Sequence, residues 1–282
     1  MSLSILNNIS SLQAQNQLSV TSSSLQSVLA QLSSGSRINS GADDAAGLAI
    51  ANGLHANTTA LTQSAQNATD GVGRLQVADG ALSQVTTLLN RAVTLATEAA
   101  NGTVSSSQQV SLDNEFSAIK AEISRIGAST TYNGAQVFSG TTTAIFISDG
   151  TSTGSSTIDA TVGTLSSASI GFSATTVVDL SADSLTSVTN ATQTLTDITQ
   201  AVANVAGDRA RLGADMNRLQ SATSVVNNQV QNLTSAEDSI SSANIAQDVA
   251  LMTKYNILQS TGMAALQQSN QSQQSILKLL QG

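Results

Sequence analysis

The chain has 282 residues, 40% of them hydrophobic but only 2% aromatic and none tryptophan, so it lacks the bulky rings on which a broad core draws. Its apolar Ala, Leu, Val and Ile suit narrow helix seams, and with no proline and no cysteine nothing breaks long helices, bridges them by disulfides or supplies a thiolate ligand or nucleophile. A net charge of −8 without a Lys/Arg cluster argues against nucleic-acid or anionic-membrane partners, and no apolar run approaches the roughly 20 residues that a membrane-spanning helix needs.

Residues 2–33 form an amphipathic stretch rich in Gln, Ser and Asn, with Leu18, Leu25, Val28 and Leu32 as its apolar stripe. The first basic residue is Arg37, so the stretch lacks the basic n-region and apolar core of a secretory signal, and export would need another route. Gly35 follows the stripe and suits a left-handed helix end. Ser40-Gly-Ala-Asp43 resembles a capping box, and Asp43 and Asp44 place negative charge at the start of the next helix.

That helix carries Leu54, Leu61, Ala68, Leu75, Leu82, Leu89 and Ala96 at intervals of seven. Between them Thr58, Ala65, Val72, Thr86 and Val93 give a 3-4 alternation, the pattern of a coiled-coil-like seam. Asp79 interrupts this second line, beside which Ala78 and Val85 offer a neighbouring one. Gly71-Val-Gly73 lies inside the heptads with no strand before it, so it predicts close approach of a neighbouring helix, not a phosphate loop. Asn101-Gly102 stops the helix, and Ser105 with Gln108, or Ser106 with Gln109, can cap the next one, whose seam is Leu112, Phe116, Ile119, Ile123 and Ile126.

The middle of the chain changes character. Tyr132-Asn-Gly134 and Asp149-Gly150 are tight-turn signals, Ile145 alternates with Ile147, and Ile158 with Ala160 and Val162. These features predict short hairpins and loops over 130–182. The longest seam follows: Val188, Ala191, Leu195, Ile198, Val202, Val205, Arg209, Leu212, Met216, Leu219, Thr223, Val226, Val230 and Leu233. Only Arg209 and Thr223 are polar in it, and Asp79 is a candidate partner for Arg209 because each interrupts a seam. Residues 240–281 are again amphipathic and Gln/Ser-rich, with Ile245, Val249, Met252, Leu258 and Leu266 on one stripe and Ile276, Leu277, Leu279 and Leu280 at the close. Alone, such end segments bury too little to offset an ordering entropy of roughly 1–2 kcal/mol per residue. They are therefore expected to be mobile in the monomer and to become helical on assembly.

The fold class expected is mainly α, a long coiled-coil-like rod with paired N- and C-terminal helices and a small β-hairpin region. The boundaries read from the sequence are 1–40 and 236–282 for two inner segments, 41–129 and 183–235 for the rod helices, and 130–182 for the β region. No catalytic, cofactor-binding or metal-binding constellation is expected. His55 is the only histidine, and helix capping accounts for Asp43 and Asp44.

The run Gln31-Leu-Ser-Ser-Gly-Ser-Arg-Ile-Asn-Ser-Gly-Ala-Asp-Asp-Ala-Ala-Gly-Leu-Ala-Ile-Ala51 resembles the N-terminal signature of bacterial flagellins. Asn67-Ala-Thr-Asp-Gly71, Asp79-Gly-Ala-Leu82 and Ala100-Asn-Gly-Thr103 are similar to family wording, as are Asn232-Leu-Thr-Ser-Ala236, Ile257-Leu-Gln259 and Ser275-Ile-Leu-Lys-Leu-Leu280 near the other end. The resemblance spans about 1–140 and 185–282 and implies a secreted, extracellular subunit of the bacterial flagellum. Its terminal helices would line a central channel, with little or no outer domain in the middle.

The resemblance also implies a helical homopolymer joined through Leu18, Leu25, Val28, Leu32, Ile245, Val249, Met252, Leu258 and Leu266. It further implies type III export, an export chaperone, and cap and hook-junction proteins as partners. Arg91, Leu95 and Glu115 match positions at which animal innate immune receptors grip family members, and a Leu95 lying off the seam would be exposed. The alternative role is that of a flagellin-like hook–filament junction protein. An enzymatic flagellin would need a His-Glu-x-x-His insert, and the middle of the chain contains no histidine.

Overall fold

The computed structural model describes residues 8–150, 156–171 and 177–281, with the backbone alone over 276–281. Among these are five helices, α1 (Ile9–Ser34), α2 (Ala45–Ala99), α3 (Ser106–Ser129), α4 (Val188–Ser241) and α5 (Ile245–Gln281). Six short strands lie between α3 and α4: β1 (Thr131–Tyr132), β2 (Ala135–Gln136), β3 (Thr142–Phe146), β4 (Thr157–Thr161), β5 (Leu165–Ser166) and β6 (Ser169–Ile170). The expected class, mainly α with a small β-hairpin region, is the one observed. The chain divides into two compact units, residues 57–231 and residues 1–56 with 232–282.

In the 57–231 unit, α2 and α4 run antiparallel, as the approach of Leu219 to Gly71 and of Arg209 to Asp79 shows. The first seam line of each helix is buried as expected: Leu61, Ala68, Leu75, Leu82, Leu89 and Ala96 on α2, and Ala191, Ile198, Val205, Leu212, Leu219 and Val226 on α4. Thr58 of the second line is buried as expected, but from Ser64 onward on α2 and over the first turns of α4 the buried line is displaced by one residue. On α2 it is Ser64, Gly71, Ala78, Val85, Ala92 and Ala99 that are buried, while Ala65, Val72, Thr86 and Val93 are only half-buried. On α4, Thr194 and Ala201 are buried while Leu195 and Val202 lie at the flank. The β3–β4 hairpin covers part of this line, with Ile145 against Gly71 and the Ser148 carbonyl on Ser64 Oγ, and the larger branched residues lie at its sides.

Helix α3 packs back along the C-terminal half of α2. Phe116 and Ile123 are fully buried, and Gln109 Nε2 donates to the terminal Ala99 carbonyl at 3.2 Å. Its start is fixed by Gln108, whose Oε1 accepts the Ser105 amide at 2.9 Å and the Ser105 hydroxyl at 2.8 Å.

All three hairpins form. Asn133 (φ 49°) and Gly134 (φ 76°) make the two-residue turn between β1 and β2, both in the left-handed region that this turn type requires. β3 and β4 pair with Ile145 opposite Ile158, and both point inward. The hairpin is fastened to α2 by Ser64 Oγ on the Ser148 carbonyl (2.8 Å), by Asn67 Nδ2 on the Phe146 carbonyl (3.3 Å) and by Arg74 on Thr143. Gly71 was expected to admit a helix. It does face Leu219 of α4, but its closest neighbour is Ile145 of β3, whose Cδ1 stands 2.4 Å from where a Cβ would be. Gly127 of α3 is tighter still, since a Cβ there would sit 1.8 Å from the Leu165 backbone oxygen of β5.

In the unit made of the chain's ends, α1 is capped by Asn8, whose Oδ1 accepts the Ser11 amide at 3.0 Å, and it stops at Gly35 with φ 70°. The expected box at Ser40–Asp43 proves to be a separate turn, in which Asp43 Oδ2 accepts the amides of Asn39 (3.1 Å) and Ser40 (2.8 Å). The cap of α2 is Asp44, one residue on, accepting Gly47 N–H at 2.8 Å. Both terminal segments were expected to stay unstructured before assembly. In the single chain their described residues form α1 and α5, each supplying the apolar seam that the other lacks.

Candidate assembly interface

Helices α1 and α5 pair antiparallel. Asn8 Nδ2 reaches Ser269 Oγ at 3.1 Å, Ser11 Oγ reaches Asn270 Oδ1 at 3.2 Å, and Leu18 Cδ1 lies 3.4 Å from where a Gly262 Cβ would be. Continuing that register sets Leu25 opposite Tyr255 and Val28 opposite Met252. The residues of α1 that are half-buried or buried include Ser11, Ala14, Leu18, Thr21, Leu25, Val28 and Leu32, a 3-4 series, with Ser22, Ser24 and Gln31 beside it. Those of α5 include Asp248, Met252, Tyr255, Gln259, Gly262, Leu266 and Ser269.

The nine candidate assembly residues therefore separate into two groups. Leu18, Leu25, Val28, Leu32, Met252 and Leu266 face the intramolecular seam. Ile245 (48% exposed), Val249 (42%) and Leu258 (42%) face outward. The outward apolar set is larger than the sequence reading found: Ile9 (61%), Leu12 (59%), Val20 (60%), Leu29, Ile257 (61%) and Met263 belong to it. The signal for them was in the sequence, since α1 and α5 carry apolar residues on more than one face, but a single-stripe reading assigns each helix only one. The closing Ile276, Leu277, Leu279 and Leu280 have side chains outside the described residues. The absence of proline in the C-terminal Gln/Asn run lets α5 continue unbroken to Gln281.

The two connections at the base of this pair are joined through their backbones. Arg37 N–H donates to the Ser241 carbonyl at 2.7 Å and Ala243 N–H to the Gly35 carbonyl at 3.0 Å, around a bridge between Ser36 and Ser242. Side chains add to it: Ser36 Oγ on the Ser241 carbonyl (3.1 Å) and Arg37 NH2 on the Ile240 carbonyl (2.6 Å). His55 Nδ1 lies 3.3 Å from Glu237 Oε1, with the imidazole 71% exposed.

In the 57–231 unit, Arg91 on α2 and Glu115 on α3 form a two-pronged pair on the surface, Nε to Oε1 at 2.7 Å and NH2 to Oε2 at 3.1 Å. The hydrogen bonds from Arg91 hold the Glu115 carboxyl below its usual range, and those to Glu115 raise the guanidinium. Leu95 does not join them at the surface. It is 1% exposed, buried where α2, flanked by Ala92, Ala96 and Ala99, meets α3. The seam reading left it outside because it allowed α2 one partner helix, whereas here α2 has two and its buried stripe widens. A cleft of about 350 Å³ opens between α2 and the β3–β4 hairpin, floored by Gly71, Leu75, Ile145 and Val162 and bordered by Asp70 and Tyr132. Among the described residues no group of three His, Asp or Glu side chains is placed to hold a metal ion, and no helix is long and apolar enough to cross a membrane.

The profile of the bacterial flagellin N-terminal helical region matches residues 5–143, and that of the C-terminal helical region matches residues 195–280. The chain belongs to the bacterial flagellin family. This flagellin is 32% identical over 277 residues to a flagellin of Halalkalibacterium halodurans, covering 98% of this chain and 99% of that one. It is also 32% identical over 289 residues to the flagellar filament 33 kDa core protein of Treponema phagedenis, with the same coverage of 98% and 99%. Among solved structures, a Vibrio parahaemolyticus protein described as flagellar hook-associated shares the fold over 71% of this chain and all of its own, with a TM-score of 0.59 and 15% identity. As a flagellin, the chain is a structural subunit of the flagellar filament, a component of an extracellular appendage.

Proposed function

We propose that copies of this flagellin join through the outward apolar face of the α1–α5 pair, with the inward face holding the pair itself together. The observation that carries this reading is the exposure of Ile9, Leu12, Val20, Ile257 and Met263, each large, apolar and between 47% and 61% accessible in the single chain. Two helices with one apolar stripe between them and a second apolar face outside are complete only in company. Residues 1–40 and 236–282 then form the inner layer of the polymer, while 41–129 and 183–235 form a rod that stiffens it and carries thrust. The middle segment, 130–182, serves as a brace on the rod, and the protein does its work mechanically, without catalysis.

The same reading places the subunit outside the cell after export through the flagellar type III channel. An export chaperone then covers the apolar face of α5, and cap and hook-junction proteins meet the subunit at the ends of the filament. Receptor recognition by an animal host would rest on the exposed Arg91–Glu115 pair, because Leu95 is withdrawn into the core.

Filament assembly of purified protein, followed by electron microscopy, tests the proposal. Val20→Asp and Ile257→Asp should leave a folded, soluble subunit that fails to polymerise. Removing about 30 residues from either end should do the same, in line with loss of a helical pair of this length. Normal filaments from Val20→Asp and Ile257→Asp together would remove the outward face from the proposal.

A further inference from the structure

The sequence holds three Asn-Gly steps, Asn52-Gly53, Asn101-Gly102 and Asn133-Gly134. This dipeptide is chemically reactive because the small glycine leaves its own amide nitrogen free to attack the preceding carboxamide. The fold places the three in different settings. Asn52 and Gly53 lie inside α2, where the glycine amide is engaged in the helix ladder. Asn133 and Gly134 are fixed at φ 49° and 76° between paired β1 and β2, and Val137 N–H on the Thr130 carbonyl (3.0 Å) closes the hairpin behind them.

Asn101 and Gly102 differ from both. They lie just past the end of α2 in an exposed turn, closed by Val104 N–H on the Asn101 carbonyl at 3.1 Å. The Gly102 amide donates to no other described residue. Space around Gly102 is open, with nothing within 4 Å of a would-be Cβ. The Asn101 side chain is already folded over the backbone, its Oδ1 accepting the Thr103 amide at 3.2 Å. That donor withdraws electrons from the Cγ carbonyl and is positioned to stabilise the oxyanion that forms when Cγ is attacked.

We propose that Asn101 is a site of spontaneous deamidation, favoured by the native fold over the other two. The Gly102 nitrogen loses its proton to solvent and bonds to Asn101 Cγ. Nδ2 takes up a proton from solvent, the Cγ–Nδ2 bond breaks, and the nitrogen leaves as ammonia. The resulting five-membered imide is opened by water at either carbonyl to give aspartate or isoaspartate. The product adds one negative charge beside Glu98, at a helix end whose carbonyls already disfavour an anion. The modification thus loosens the α2–α3 turn as a subunit ages.

The full-length protein is incubated at mildly alkaline pH, digested, and each Asn-Gly peptide is followed by mass spectrometry for the one-dalton gain and by isoaspartate-specific methylation. Native protein should convert at Asn101 at least about tenfold faster than at Asn52 or Asn133, since those two react only through local opening. In concentrated denaturant the three rates should converge, and Asn101→Gln should abolish the signal from its own peptide. Native conversion at Asn133 or Asn52 as fast as at Asn101 would overturn the proposal, as would no conversion at Asn101 while the denatured chain reacts there.

Discussion

Arg209 and Asp79 face each other across the α2–α4 seam in a fork-on-fork pair, Nε to Oδ1 at 2.7 Å and NH2 to Oδ2 at 3.3 Å. Each is the charged interruption of an apolar line, and both sit on the flank, not at the inner positions. The side chains are about one-third exposed, 37% and 33%, so water screens much of the attraction. The pair contributes alignment more than energy: it is satisfied in one antiparallel register, and a shift by one turn would strand both charges against apolar neighbours.

Asp79→Ala and Arg209→Ala should each destabilise the protein by about 1 kcal/mol, and the double variant by clearly less than the sum, with a coupling of about 0.5–1 kcal/mol. Denaturant unfolding of the four proteins gives the cycle. The coupling should shrink in high salt.

Asp208, one residue earlier on α4, has the opposite character. It lies half-buried beside Leu82, Phe138, Val162 and Val205, and burial pushes its pKa up to about 6, with Arg211 opposing only in part. A carboxyl whose folded pKa stands above its unfolded one binds its proton more tightly in the native state. Asp208 therefore costs stability above pH 6, and the cost vanishes as pH falls below its ordinary range near 4. Asp208→Asn should stabilise the fold at pH 7.5 by about 1–2 kcal/mol once solvent screening is counted, raising the melting temperature, with an effect that fades through pH 4 and is gone near pH 3. Equal shifts at pH 7.5 and near pH 3 would show that the carboxyl is not desolvated.

Gly127 and Gly73 give a contrast in space. Gly127→Ala would drive a methyl group into the Leu165 carbonyl, which cannot move without breaking the β5–β6 hairpin from α3, and should cost about 2–4 kcal/mol. At Gly73 the nearest atom is the Tyr132 hydroxyl oxygen at 3.1 Å, at the end of a side chain that can turn aside. Gly73→Ala should therefore fall within about 1 kcal/mol of the parent, helped by the helix propensity of alanine. Thermal melts of the two variants check the ordering.

The displaced second seam line leads to a further test. Ala78 is fully buried at an inner position, whereas Ala65 lies on the flank. Ala78→Leu should overpack the core around α2 and destabilise by about 1–3 kcal/mol, while Ala65→Leu should be close to neutral. The reverse ordering would mean that the helices are rotated from the arrangement described.

These cases show how far the sequence could be read. The heptad residues from Leu61 to Ala96 and from Ala191 to Val226 were legible because a large apolar side chain every seventh residue has no other helical explanation. The Asp79–Arg209 pair was legible because two charges that each break a seam need one another. The inner line was misread because Ser64, Gly71 and Thr194 carry no hydrophobic signal: the Ser148 carbonyl, Ile145 and the Ser184 carbonyl cover them, whereas Val72 and Val93 at the flank look more like core. Leu95 was misplaced because a pattern on one helix does not say how many neighbours that helix has. For the assembly surface, the sequence revealed apolar stripes on α1 and α5, but only the register between them separates Leu18, which faces Gly262, from Val20, which faces outward.

The joint between residues 35–37 and 241–243 is made chiefly of amides and carbonyls, groups that every residue but proline carries in full. Replacing its side chains one by one would leave Arg37 N–H on Ser241 and Ala243 N–H on Gly35 intact. A proline at position 37 or 243 would remove a donor outright. The lack of proline in the chain thus protects more than its helices: it keeps whole a joint whose side chains can change while its backbone connectivity stays fixed.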